Sequence, residues 1–180
     1  MKSILLVVTL LISLTSSAEE GQVPFGDRVG DSVVNYNRTT PNIATSGTVR
    51  EGGLQKLQSL GFRSILDLRT QPEGTDRERQ AASDLGFSYR NIAIAREAPT
   101  QQQLTQFSRW VENADHYPLL IHCASANRVG ALWAMYRITR GVPLTEALLE
   151  GRTIGMQPSR EVQVRDFAAN NDSGSEAADR

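Results

Sequence analysis

The run Leu119-Leu120-Ile121-His122-Cys123, followed by Ala124-Ser125-Ala126-Asn127-Arg128, constrains this chain more than any other stretch. Five mostly apolar residues end in the only cysteine of the protein. Residues 131–138 then carry a helix-forming sequence. The pattern predicts a buried strand that delivers a thiol to a tight loop opening a helix. Unpaired N–H groups and the positive end of the helix dipole gather at such a helix start. A thiol placed there has its anion favoured, with a pKa that can fall from about 8.5 into the ~3.5–7.5 range. Arg128 adds a planar fork of donors beside it. The combination describes a nucleophile with an anion cradle. The competing reading is a small, inert, buried cysteine.

Strands alternate with helices along the rest of the chain. Strands are predicted around residues 43–47, 64–69, 87–94 and 118–123, with helices between and after them. Three Thr-x-x-Glu/Gln pairs, Thr48/Glu51, Thr75/Glu78 and Thr100/Gln103, have capping-box spacing and mark helix starts. Residues 144–152 and 159–169 read as the last two helices. This order implies one α/β domain over residues 19–169, with a mainly parallel central sheet flanked by helices. Ligands bind beyond the carboxyl ends of such strands, where Cys123, residues 67–69 and residues 94–97 all fall. Phe107, Trp110, Trp133 and Tyr136 read as core.

The N-terminus has one lysine, an apolar stretch over residues 4–14, then Thr15-Ser16-Ser17-Ala18. That pattern predicts a secretory signal peptide, residues 1–18, and a periplasmic or secreted mature chain. A retained apolar helix is the alternative. Residues 170–180 are polar and read as a disordered tail. The formal charge of −1 offers no basic surface for nucleic acid and no membrane-binding basic helix. Two histidines and one cysteine are too few for a zinc site of the usual kind, and a lone cysteine forms no internal disulfide. No metal or cofactor is expected.

The segment His122 to Arg128 resembles the signature loop of cysteine-dependent protein tyrosine and dual-specificity phosphatases. Residues 65–69 and 89–94 stand in a similar order before it. The nearest resemblance is to the bacterial phosphatase-like domain of beta-lactamase-hydrolase-like proteins. It implies the tyrosine-phosphatase-like fold and hydrolysis of phosphomonoesters, phosphotyrosine among them, through a phosphocysteine on Cys123. It implies that Arg128 and the amides of Ala124, Ser125, Ala126, Asn127 and Val129 hold the phosphoryl group, with His122 behind the loop. Its partner is a phosphorylated protein or small molecule. By position the general acid is Glu97, with Asp67 as the alternative. Each has a plain reading too: Glu97 as a solvated loop charge, Asp67 as an ion pair with Arg69, His122 as a buried core histidine.

Three departures stand against the family pattern. Four residues separate Cys123 from Arg128, one fewer than in the phosphatase loop. Ala126 occupies the place of a loop glycine, where a positive φ would strain a residue bearing a Cβ. Val129 replaces the hydroxyl residue that follows the arginine. The shorter loop also resembles that of rhodanese-like sulfurtransferases, so a Cys123 persulfide is the second reading. A non-catalytic anion-binding module is the third.

Overall fold

The computed structural model describes residues 28–178, so the expected signal peptide lies outside the described residues. Five strands form one sheet: β1 (Asn37–Thr40), β2 (Ile43–Ser46), β3 (Ser64–Asp67), β4 (Ser88–Asn91) and β5 (Leu119–His122). The spatial order is β1-β2-β5-β3-β4. All pairings are parallel except β1 with β2. The predicted mainly parallel α/β sheet is therefore present. Strand β1 was absent from the sequence reading, because Asn37-Arg38-Thr39-Thr40 is polar and only half-buried at the sheet edge. An edge strand needs little apolar patterning to pair.

Among the described residues six α-helices flank the sheet: α1 (Gly53–Ser59), α2 (Thr75–Asp84), α3 (Gln101–Glu112), α4 (Asn127–Thr139), α5 (Leu144–Ile154) and α6 (Pro158–Ala178). Helix α6 carries helical backbone through residues 170–178, where composition predicted a disordered tail. A helix satisfies its own main chain, and no proline follows Pro158 to interrupt it. No helix among the described residues is long and apolar enough to cross a membrane.

Alternation along the strands sorts the core into two parts. Leu119, Ile121 and Cys123 join Leu66, Leu68, Phe107, Val129 and Trp133. Leu120 joins Ala44, Leu57, Ile65 and Ala82 on the side of α1 and α2. Cys123 and His122 therefore point to opposite faces of the sheet. Register aligns Ser46, His122 and Asp67 across three strands, with Asn91 beyond Asp67. The thiol stands one residue past that row, at the carboxyl end of the central strand. Helix α4 is buried from Val129 through Met135. Its close approach to α5 needs Gly130, since a Cβ there would collide with the Gly151 carbonyl.

Candidate active site

Cys123 is fully buried beneath the loop that it opens. Its N–H donates to Ser46 O at 3.3 Å. The next carbonyl, Ala124 O, accepts from Thr48 N (3.1 Å) and Thr48 Oγ1 (2.8 Å). Asn35 Nδ2 donates to Ser125 O at 3.3 Å. Tying a carbonyl to the outside turns the following N–H the other way, because the peptide unit is planar and trans. These tethers thus fix the direction of the loop amides. Gly47 makes the approach possible: a Cβ there would lie 3.1 Å from Ala124 O and Ser125 Cα.

Ala126 enters α4 with φ +66°, one of two non-glycine residues with positive φ among the described residues. The strain expected from the missing loop glycine is present. Asn127 Oδ1 accepts from Gln157 N at 2.8 Å, joining the loop to the start of α6. Ala124 and Ser125 are exposed, whereas Ala126 and Val129 are buried.

Arg128 reaches back over the loop. It meets Glu73 with two contacts, Nη2 to Oε1 at 2.6 Å and Nη1 to Oε2 at 2.8 Å. Nη1 also donates to Ile94 O at 3.1 Å. The Glu73 carboxylate, outweighing burial, holds the guanidinium charged more firmly, and contact with the Cys123 thiol adds to this. The guanidinium thus interacts with the sulfur from a position fixed by Glu73 and the Ile94 carbonyl. Glu73 in turn sits on a short 3₁₀ turn (Gln71–Glu73), with Thr70 N and Oγ1 donating to its Oε2 at 2.7 and 2.8 Å. Arg128, together with those Thr70 bonds, overcomes burial and holds the Glu73 carboxyl down to about 2.

The two acid candidates are held differently. Asp67 is fully buried on the α2 side. Arg69 Nη2 and Tyr89 Oη donate to its Oδ2 at 2.7 and 2.6 Å. Burial pushes its pKa up, but His122 and the Arg69 and Tyr89 hydrogen bonds prevail and leave it below the usual value. Glu97 is exposed, and its carbonyl rather than its carboxylate is engaged, accepting from Arg160 Nη1 at 2.8 Å.

His122 is also fully buried. Its Nε2 approaches Glu78 Oε1 at 2.7 Å and Asp67 Oδ1 at 3.7 Å, although the Glu78 approach is not directed as a hydrogen bond. Asp67, Glu78 and His122 bring ligand-type atoms within 4.8 Å of one another. Arg69 already lies against both carboxylates, 2.7 Å from Asp67 and 2.6 Å from Glu78, and supplies positive charge there. Phe107 and Trp133 are core, as expected.

Sequence reasoning missed Glu73, Thr48 and Arg160. Thr70 and Glu73 have the capping-box spacing, so a signal for Glu73 existed. For Arg160 none did. Glu73 and Arg160 help to line a cavity of about 410 Å³ at Arg128, together with Thr70, Ala95 and Arg96.

The family model described as "DSP-PTPase phosphatase fused to NAD+ Kinase" matches residues 26–171. Solved structures share the fold. A DUF442 candidate phosphatase from Shewanella putrefaciens CN-32 aligns with TM-score 0.62 and 16% identity, over 77% of this chain and 93% of that one. The core catalytic domain of the PP-IP phosphatase SIW14 from S. cerevisiae aligns with TM-score 0.63 and 20% identity, over 81% and 93%. A candidate phosphatase from Neisseria meningitidis Z2491 aligns with TM-score 0.65 and 16% identity, over 74% and 99%. Among curated proteins none matches.

Proposed function

Because the chain belongs to the family of dual-specificity-type tyrosine phosphatases described as fused to NAD+ kinase, we propose that it hydrolyses phosphomonoesters through a phosphocysteine. The single observation that supports this reading is the convergence of Cys123 and Arg128 at the start of α4, with Glu73 fixing the arginine from behind.

In the first step the Cys123 thiolate attacks phosphorus, an S–P bond forms, and the ester P–O bond breaks. The leaving oxygen takes a proton from an acid or from water. In the second step water attacks phosphorus, the S–P bond breaks, and phosphate and thiolate are released. Arg128 and the loop amides of residues 124–129 stabilise the equatorial oxygens, where most of the rate enhancement resides. Sγ is buried, so the phosphoryl group must enter the loop for attack to occur. His122, placed behind the loop against Glu78, orients the strand end.

Asp67 is held ionised by His122, Arg69 and Tyr89 and has no proton to give a leaving group. Glu97 is the remaining candidate, its exposed carboxylate lying close enough to Arg160 to attract it. Phosphotyrosine belongs to the substrate class that the family implies. If the apolar stretch over residues 4–14 acts as the expected signal peptide, the setting we propose is periplasmic or secreted.

The test is turnover of an aryl phosphate by the full chain and by Cys123→Ser. Phosphate release by the former and its loss in the latter are expected. Release that survives the substitution contradicts the covalent scheme. Cysteine-dependent thiocyanate from thiosulfate and cyanide, without phosphate release, would assign the persulfide chemistry instead. Phosphate binding without either turnover would make the protein an anion-binding module.

A further inference from the structure

Within the cavity three arginines face one glutamate, and that glutamate is engaged by Arg128. Arg160 is the residue that the proposed phosphoryl chemistry leaves unexplained. It is only 8% exposed. A guanidinium so buried ordinarily faces a carboxylate. This one donates to neutral oxygens: Glu97 O at 2.8 Å, Gln163 Oε1 at 2.9 Å, and Ala95 O. Burial and then repulsion from Arg128 lower its pKa, and attraction to Cys123 and Glu97 offsets this only in part. Three of its five N–H groups are committed by these bonds, which leaves Nε and one Nη2 hydrogen to donate.

The lining matters as much as the charge. It contains no aromatic side chain and only Ala95 as an apolar residue. Its three arginines make the lining strongly cationic. They suit a second anion. Arg160 and Arg96 come from α6 and from the loop after β4, whereas the loop of α4 holds the reacting phosphoryl group.

We propose that Arg160, with Arg96 beside it, forms a second anion subsite, so that the substrate is a small molecule bearing two neighbouring phosphoryl groups. This inference rests on the hydrolase reading of the same site. The phosphoryl group that is cleaved sits over Cys123 and Arg128. Its neighbour sits against Arg160 and offsets the positive charge buried there.

The experiment uses the full chain with Cys123→Ser, titrated with inorganic phosphate and with pyrophosphate. Pyrophosphate is expected to bind about tenfold tighter, the worth of one further charge-assisted contact. Adding Arg160→Gln should bring the two affinities close together, while Arg160→Lys keeps most of the preference. Arg109→Gln, which removes the same charge from the exposed side of α3, should leave the preference intact. Equal affinities in the Cys123→Ser protein, or an unchanged preference after Arg160→Gln, overturn the subsite. If Arg160→Gln does not fold, Arg96→Gln must weaken the preference, and no change there overturns it equally. Aryl phosphate turnover by the unaltered protein separates the two failures. Turnover without a pyrophosphate preference removes only the subsite, and a preference without turnover removes only the hydrolase reading.

Discussion

Two arginine–carboxylate clusters flank the end of β3, and they are built to opposite ends. Toward α2, Arg69 is enclosed with Asp67, Glu78, Tyr89 and His122, and its guanidinium meets carboxylates at 2.6 and 2.7 Å. Toward α4 and α6, Arg96, Arg128 and Arg160 share a cavity whose one acidic lining residue is Glu73. The first cluster pairs its cation with two carboxylates, which suits a fixed support. The second keeps an excess of cation beside open space, which suits an anion that comes and goes. Glu73 joins them, since its carbonyl accepts from Arg69 Nη1 at 3.4 Å while its carboxylate holds Arg128.

The sharpest way to break this contrast is Arg69→Met. It would leave Asp67 and Glu78 buried without their cation, and a loss of about 3–5 kcal/mol in urea unfolding is expected. A loss below about 1 kcal/mol would mean that the cluster is not the support described. Arg128→Ala addresses the other side. Stability should change little by comparison, while aryl phosphate turnover falls by about 10²–10³-fold. Arg128→Lys should rescue little of it, because a point charge does not replace a planar fork.

Glu73→Gln tests the link between the clusters. Its folded carboxyl titrates near 2, below the ordinary value of 4.5, so its ionised form favours the folded state. That contribution is complete above about pH 4.5 and fades as pH falls toward 2. Allowing for its partial exposure, it amounts to about 1–2 kcal/mol. The Gln variant should therefore be less stable than the parent at neutral pH and nearly equal to it at pH 2 in chemical unfolding. A difference that persists at pH 2 would point to packing rather than charge. The smallest effect is expected of Ala126→Gly, which removes a Cβ from a φ of +66°. A gain of about 0.5 kcal/mol should remain after the lost methyl burial is counted.

The helical and parallel-strand plan was legible because buried strands such as Leu119–His122 and helices such as Gln101–Glu112 carry their own patterns and punctuation. The thiol loop was legible for the same reason, being local in sequence. The capping boxes were less faithful. Thr100 and Gln103 form theirs. Thr48 instead holds the Ala124 carbonyl, and α1 starts after Gly52. Glu78 turns to Arg69 and His122, and α2 starts after Gly74. In both cases a tertiary partner at the site drew the side chain away from a local role. Arg160 was invisible because nothing local sets it apart. Its place depends on α6 folding back onto the loop at residues 95–97.

The central claim is that the sulfur of Cys123 carries the phosphoryl group during turnover. Rapid quenching of the full chain with an aryl phosphate, followed by mass analysis of its peptides, reads this directly. The account predicts a phosphoryl adduct on the peptide containing Cys123, formed within the first turnover and absent from Cys123→Ser. Steady hydrolysis with no adduct at that residue would contradict it.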